Sequence, residues 1–123
     1  MTAHRLDSDR GAGTILVLAL GLLLIAAGVA GAAVGSVRVG RHEARTAADL
    51  GALAGAVRVI EGPPAACARA AQLVAANDAA LTSCDVSGPE IVIYVEVVVT
   101  PLPGLTRRAR AGARAGPVYS VGE

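Results

Sequence analysis

The sequence predicts an α+β fold: one long N-terminal helix, one short helix and a small antiparallel sheet. Three observations predict it. An uncharged apolar run over residues 11–37 passes without a break into an Ala-rich periodic segment. Gly62-Pro63-Pro64 then ends the helical pattern. Later, nine residues from Ile91 to Val99 are dominated by β-branched types and follow the turn sequence Ser87-Gly88-Pro89-Glu90.

A chain of 123 residues allows one thin domain at most. Aromatic residues make up 2% of it, with no Phe or Trp, so the core must be built from Ala, Val, Leu and Ile. Its basic residues are all Arg, and 11 of them against 10 acids leave a formal charge of +1. A balanced charge with almost no stacking platform excludes nucleic acid as a partner. The mean hydropathy of +0.57 is high for a soluble domain, and the excess sits in one place.

That place is the first helix. Thr14 to Val34 is almost wholly apolar, and a bilayer span needs roughly 20 such residues. So small a chain has too little surface to bury a helix that is apolar all round. A cleavable secretory signal is the competing reading. Arg5 and Arg10 would be its basic start, Thr14 to Ala26 its apolar stretch, and Gly28-Val29-Ala30 or Ala30-Gly31-Ala32 its cleavage site. The apolar run continues past both sites, which favours a retained anchor. Arg5 and Arg10 on one side against Arg38, Arg41 and Arg45 on the other would put the C-terminal part inside by charge count alone. Ala27, Gly31 and Gly35 recur every fourth residue, a spacing that lets another helix approach closely. A chain this rich in Gly and Ala also produces such spacings by chance.

Beyond Val37, the residues Thr46, Leu50, Leu53, Val57 and Ile60 fall on one helical stripe. Arg38, His42, Arg45 and Asp49 fall on another, with Arg45 and Asp49 spaced to pair at i,i+4. One helix from about Thr14 to Ile60 would extend on the order of 70 Å, with Gly62 as its C-cap. The parts are then a leader over 1–10, a membrane span over 11–37, an emergent amphipathic helix over 38–61 and a small α/β domain over 62–123.

Within that domain a short helix is expected from Ala65 to Ala76, ended by Asn77-Asp78 because Asn tolerates the left-handed conformation. In the strong strand, Ile91, Ile93, Val95, Val97 and Val99 share the face expected to meet the core. Leu81 to Val86 can pair with it across the Gly88-Pro89 turn. Arg108, Arg110 and Arg114 alternate with alanines after Pro101 and Pro103, which favours a third, edge strand over a helix. Those arginines could meet anionic headgroups or an acidic partner, or keep the edge solvated.

Two cysteines, Cys67 and Cys84, match no metal or redox spacing. In a chain with an export signal they point to one disulfide, which places the domain outside the cytoplasm, against the Arg count. Free thiols in the cytoplasm are the alternative. Catalytic, cofactor and metal sites are not expected. His4 and His42 both flank the membrane helix, no nucleophile has a plausible His partner, and no Gly-rich loop cradles phosphate. Asp49 is the one acid that looks placed, and pairing with Arg45 accounts for it.

The order of parts resembles a pilin-type architecture. Asp9-Arg10-Gly11-Ala12-Gly13-Thr14 before the apolar run is similar to the start of TadE/TadG-like proteins of tight-adherence (Flp) pilus systems. Ala47-Ala48-Asp49-Leu50-Gly51-Ala52-Leu53-Ala54-Gly55-Ala56 resembles an Ala-rich block of that family. Cys67-Ala68-Arg69-Ala70-Ala71, Ala75-Ala76-Asn77, Cys84-Asp85-Val86 and Ala113-Arg114-Ala115-Gly116-Pro117 look like the actinobacterial TadE-like subgroup encoded near a helicase and secretion genes. The resemblance implies a membrane-held structural component that packs with other pilin-like subunits or the assembly machinery. It also implies cleavage by a prepilin peptidase between Gly11 and Ala12. Type IV pilins carry Glu five residues after the cut; Leu16 stands there, which fits a minor component better than a major filament subunit. A secreted effector or binding domain, released near Ala30 or Ala32, is the alternative function.

Overall fold

The computed structural model of the chain describes residues 2–117, with side chains from Gly11 onward. The side chains of His4, Arg5, Asp9 and Arg10 lie outside that set. Helix α1 spans Thr2–Ala56 and passes Val37 and Arg38 without interruption. It begins earlier than Thr14 and stops four residues short of Ile60. The stop is a tightening of the hydrogen-bond pattern. Val57 N–H still reaches Leu53 O, but Arg58 N–H donates to Gly55 O at 2.9 Å, and a single 3₁₀ turn follows at Val59–Glu61.

Gly62 therefore does not cap α1. Its N–H donates to Val59 O at 3.1 Å, closing the 3₁₀ turn. At φ 107° it then turns the chain into helix α2, Pro63–Ala76. Only Gly occupies that backbone region freely. Pro63 and Pro64 fill the first two helical positions, where a missing N–H costs nothing, so α2 starts two residues before Ala65. At its far end the left-handed residue is Asp78 (φ 55°) rather than Asn77. Asn77 contributes its side chain instead, Nδ2 donating to Leu73 O at 2.8 Å.

The sheet has the order β1-β2-β3, all antiparallel, with β1 Ala80–Ser87, β2 Glu90–Leu102 and β3 Leu105–Ala115. The Arg-rich tail is thus an edge strand. Both hairpins close through two residues: Gly88-Pro89 between Ser87 and Glu90, and Pro103-Gly104 between Leu102 and Leu105. Gly88 and Gly104 supply the positive φ that such tight turns need. Strand β2 outruns the expected Val99 because the register shifts between Val99 and Leu102, which accommodates Pro101.

The chain divides into two compact units, Met1–Val34 and Gly35–Glu123. In the first, every large apolar side chain from Ile15 to Ile25 is more than half exposed. By length and composition α1 can cross a membrane, and its most apolar window is not buried within the chain.

The second unit holds the core. Ile91, Ile93, Val95, Val97 and Val99 form its sheet side, as their alternation predicts. Ala66, Ala70 and Val74 of α2 and Ala44, Ala47, Ala48 and Ala52 of α1 cover them. One irregularity in β1 makes this possible. Thr82 is a bulge between Leu81, opposite Val95, and Ser83, opposite Tyr94; its hydroxyl donates to Tyr94 O at 3.0 Å. The extra residue lets Leu81 and Cys84, three apart, both stand opposite core-facing residues of β2.

Candidate functional site

Cys67 and Cys84 are joined, with Cα atoms 5.9 Å apart, tying the N-terminal half of α2 to β1. The bulge at Thr82 puts Cys84 opposite Ile93, on the sheet face that α2 covers. Without it Cys84 would turn to the other side.

The emergent half of α1 faces the sheet with its smallest residues. A Cβ added to Gly51 would stand 2.6 Å from Val74 Cγ2 and 2.9 Å from Ile93 Cδ1. One added to Gly55 would stand 2.6 Å from Ile91 Cδ1 and 3.0 Å from Ala66 O. At Gly40 it would run into Val99. The helix backbone therefore lies directly on the β-branched layer of β2. The larger stripe faces away: Leu50 is 41% exposed, Leu53 61%, Val57 76% and Ile60 95%. These residues have no apolar partner of their own in the chain's core. The helical period alone did not say which stripe meets the sheet. The signal was in the sequence nevertheless, since Gly40, Ala44, Ala48, Gly51 and Gly55 recur at three- and four-residue spacing, a second small-residue stripe after Ala27, Gly31 and Gly35.

Those three earlier residues remain open. Ala27 and Gly31 are exposed, and a Cβ on Gly31 or Gly35 would meet nothing within 4 Å beyond its own helix. Gly11 and Ala12, at the expected processing site, are exposed on α1.

The charged residues divide by position. On the open sheet face Glu96 receives Arg108 at 3.4 Å and Arg110 at 3.6 Å. Arg114 pairs with Glu90 at 2.6 Å. Thus three tail arginines already have acids of this chain. Among the described residues Arg38, Arg41, Arg45 and Arg107 join no ion pair, and the Arg45–Asp49 pair does not form. Arg41 and Arg107 line one cleft with Val37 and Val99, and Arg38, His42 and Arg45 flank Arg41 in a neighbouring one. Sequence distance hid this meeting of α1 with β3. No group of three or more His, Cys, Asp or Glu that could hold a metal occurs among the described residues.

What these surfaces can do is pack. A disulfide-tied domain presents an apolar helix stripe, and the helix leading into it is apolar on every side. Residues 11–58 match the family model of putative Flp pilus-assembly TadE/G-like proteins. That match covers the apolar run and the emergent part of α1, including Gly11 and the Ala-rich block, and stops before α2. The disulfide and the sheet lie beyond it. No curated protein and no solved structure matches the chain.

Proposed function

We infer that the protein is a membrane-anchored, minor-pilin or pseudopilin-like structural component of a Tad/Flp-type pilus or secretion apparatus. One observation carries this reading. Within the matched segment the large apolar residues stand exposed, both in the apolar run and on the emergent stripe. Ile15 to Ile25 need an apolar surrounding that lipid supplies, whereas Leu50, Leu53 and Val57 sit beyond the charged residues Arg38 to Arg45 and need a protein partner. Other pilin-like helices are the partners that the resemblance implies.

The disulfide supports an extracytoplasmic domain, because such bonds persist in oxidising compartments. It outweighs the small Arg excess on the C-terminal side. Processing by a prepilin peptidase would cut after Gly11 and leave Ala12 as the new terminus. With Leu16 in place of an acid, the apolar run has no carboxylate to meet a neighbour's terminal amine, which supports a minor, membrane-retained role.

Mapping the mature N-terminus tests this reading. A start at Ala12, in protein that resists extraction from membranes by alkaline carbonate, is the expected result. A start near Gly31 or Ala33 in the medium would overturn it. That outcome would favour a secreted binding domain, because the second compact unit begins at Gly35 and would survive such a cut whole.

A further inference from the structure

We propose that the tip of the β2–β3 hairpin is a second membrane contact, lying in the headgroup layer of an anionic bilayer. This rests on the anchoring reading above. Three contacts fix the direction of β2 along α1: Ile91 lies against Gly55, Ile93 against Gly51 and Val99 against Gly40. The strand therefore runs back toward the start of its own unit, the end that continues into the apolar run. Leu102 lies three residues past Val99, about 10 Å of strand at ~3.3 Å per residue. Between Ile93 and Val99 six strand residues match eleven on the helix, Gly51 back to Gly40, so three more strand residues match about five on the helix. The tip stands near the level of Gly35, inside the uncharged run that ends at Val37.

Its chemistry fits that level. Thr100-Pro101-Leu102-Pro103-Gly104-Leu105-Thr106 carries no charge, and Leu102 and Leu105, paired across the turn, are both more than a third exposed. Behind the tip come Arg107 on β3 and Arg38 and Arg41 on α1, none of them in an ion pair among the described residues. The turn at the other end of the sheet is flanked by Asp85 and Glu90 instead. Apolar side chains ahead of unpaired cations is the arrangement an interface takes up. The leucines enter the boundary of the acyl chains, while each guanidinium meets a phosphodiester oxygen. Anionic lipid attracts each basic residue held near its surface.

The chain has no Trp, so one introduced Trp reports depth without background. The full chain, disulfide intact, is placed in nanodiscs of phosphatidylcholine and phosphatidylglycerol, with lipids brominated close to the headgroup. L105W fluorescence should shift to the blue and be quenched several-fold more strongly than that of P89W, in the opposite turn. L102W gives the same reading if L105W does not fold. L20W, in the anchor, should be quenched by lipids brominated deeper. Adding R38Q, R41Q and R107Q together should weaken the quenching of L105W and leave that of L20W alone.

If L20W is quenched while L105W and P89W are equally open to aqueous iodide, the hairpin proposal falls and the anchor stands. If L20W is not quenched either, the anchoring reading falls with it. Quenching of L105W that ignores the three arginine changes would overturn their assigned role.

Discussion

At Gly55 the fold leaves no room for a methyl group. The nearest obstacles to an added Cβ are Ile91 Cδ1 and, at 3.0 Å, the carbonyl oxygen of Ala66, and a backbone atom cannot swing aside. Gly55→Ala should cost about 1–3 kcal/mol of overpacking, read as a lower urea midpoint with an unchanged slope. Asp78 gives the opposite case. It holds φ 55° at the end of α2, so Asp78→Gly removes a strain of up to about 1 kcal/mol and should raise the midpoint. Tyr94 lies over Gly112 of the neighbouring strand, where an added Cβ would stand 2.6 Å from Cε1. The ring shields a stretch of β3 that has no side chain of its own. Tyr94→Ala should lose about 1 kcal/mol of this cross-strand contact, measured by the same melt.

At the scale of elements, the disulfide links α2 to β1 across 17 positions of chain. A closed loop of this size restricts the unfolded chain by about 3 kcal/mol in the chain-entropy account. C67S/C84S should therefore melt lower by about that amount, and adding reductant to the parent protein should reproduce the loss. The sequence made most elements readable, for reasons that differ from one to the next. Strand β2 was plain because β-branched residues alternate over nine positions, and its inward five are the five buried. The Arg-Ala alternation of β3 was a weaker signal that could also serve a helix, and Pro101 and Pro103 tipped it. The facing of α1 was not readable from its period alone, because stripes of large and of small residues share it. Size pointed to Leu50 and Leu53, whereas the layer of Ile and Val on β2 leaves space only for Ala and Gly. The bulge at Thr82 left no mark in the pattern. Nor could the sequence bring Arg107 to Arg41, since that meeting depends on the direction in which β2 crosses α1.

For the whole molecule, stability and assembly should separate. Leu53 and Val57 are well exposed, so L53N/V57N should change the urea midpoint of the isolated chain by no more than about 0.5 kcal/mol equivalent. Under the assembly reading, the same double change should abolish cross-linking to neighbouring pilin-like helices in membranes. Equal cross-linking by the parent and the variant would show that this stripe is not where partners dock.

The approach of α1 to β2 carries one more consequence. Wherever a glycine of the helix meets an isoleucine of the strand, the two positions share a fixed volume, so neither can be enlarged independently of the other. A methyl added at Gly51 should be tolerated better when Ile93 becomes Val, which removes the Cδ1 atom in its way, so the pair should deviate from additivity. Natural variation in such a fold would then proceed by trades between helix and strand, and recombining halves from two diverged copies would jam at this seam before it failed anywhere else.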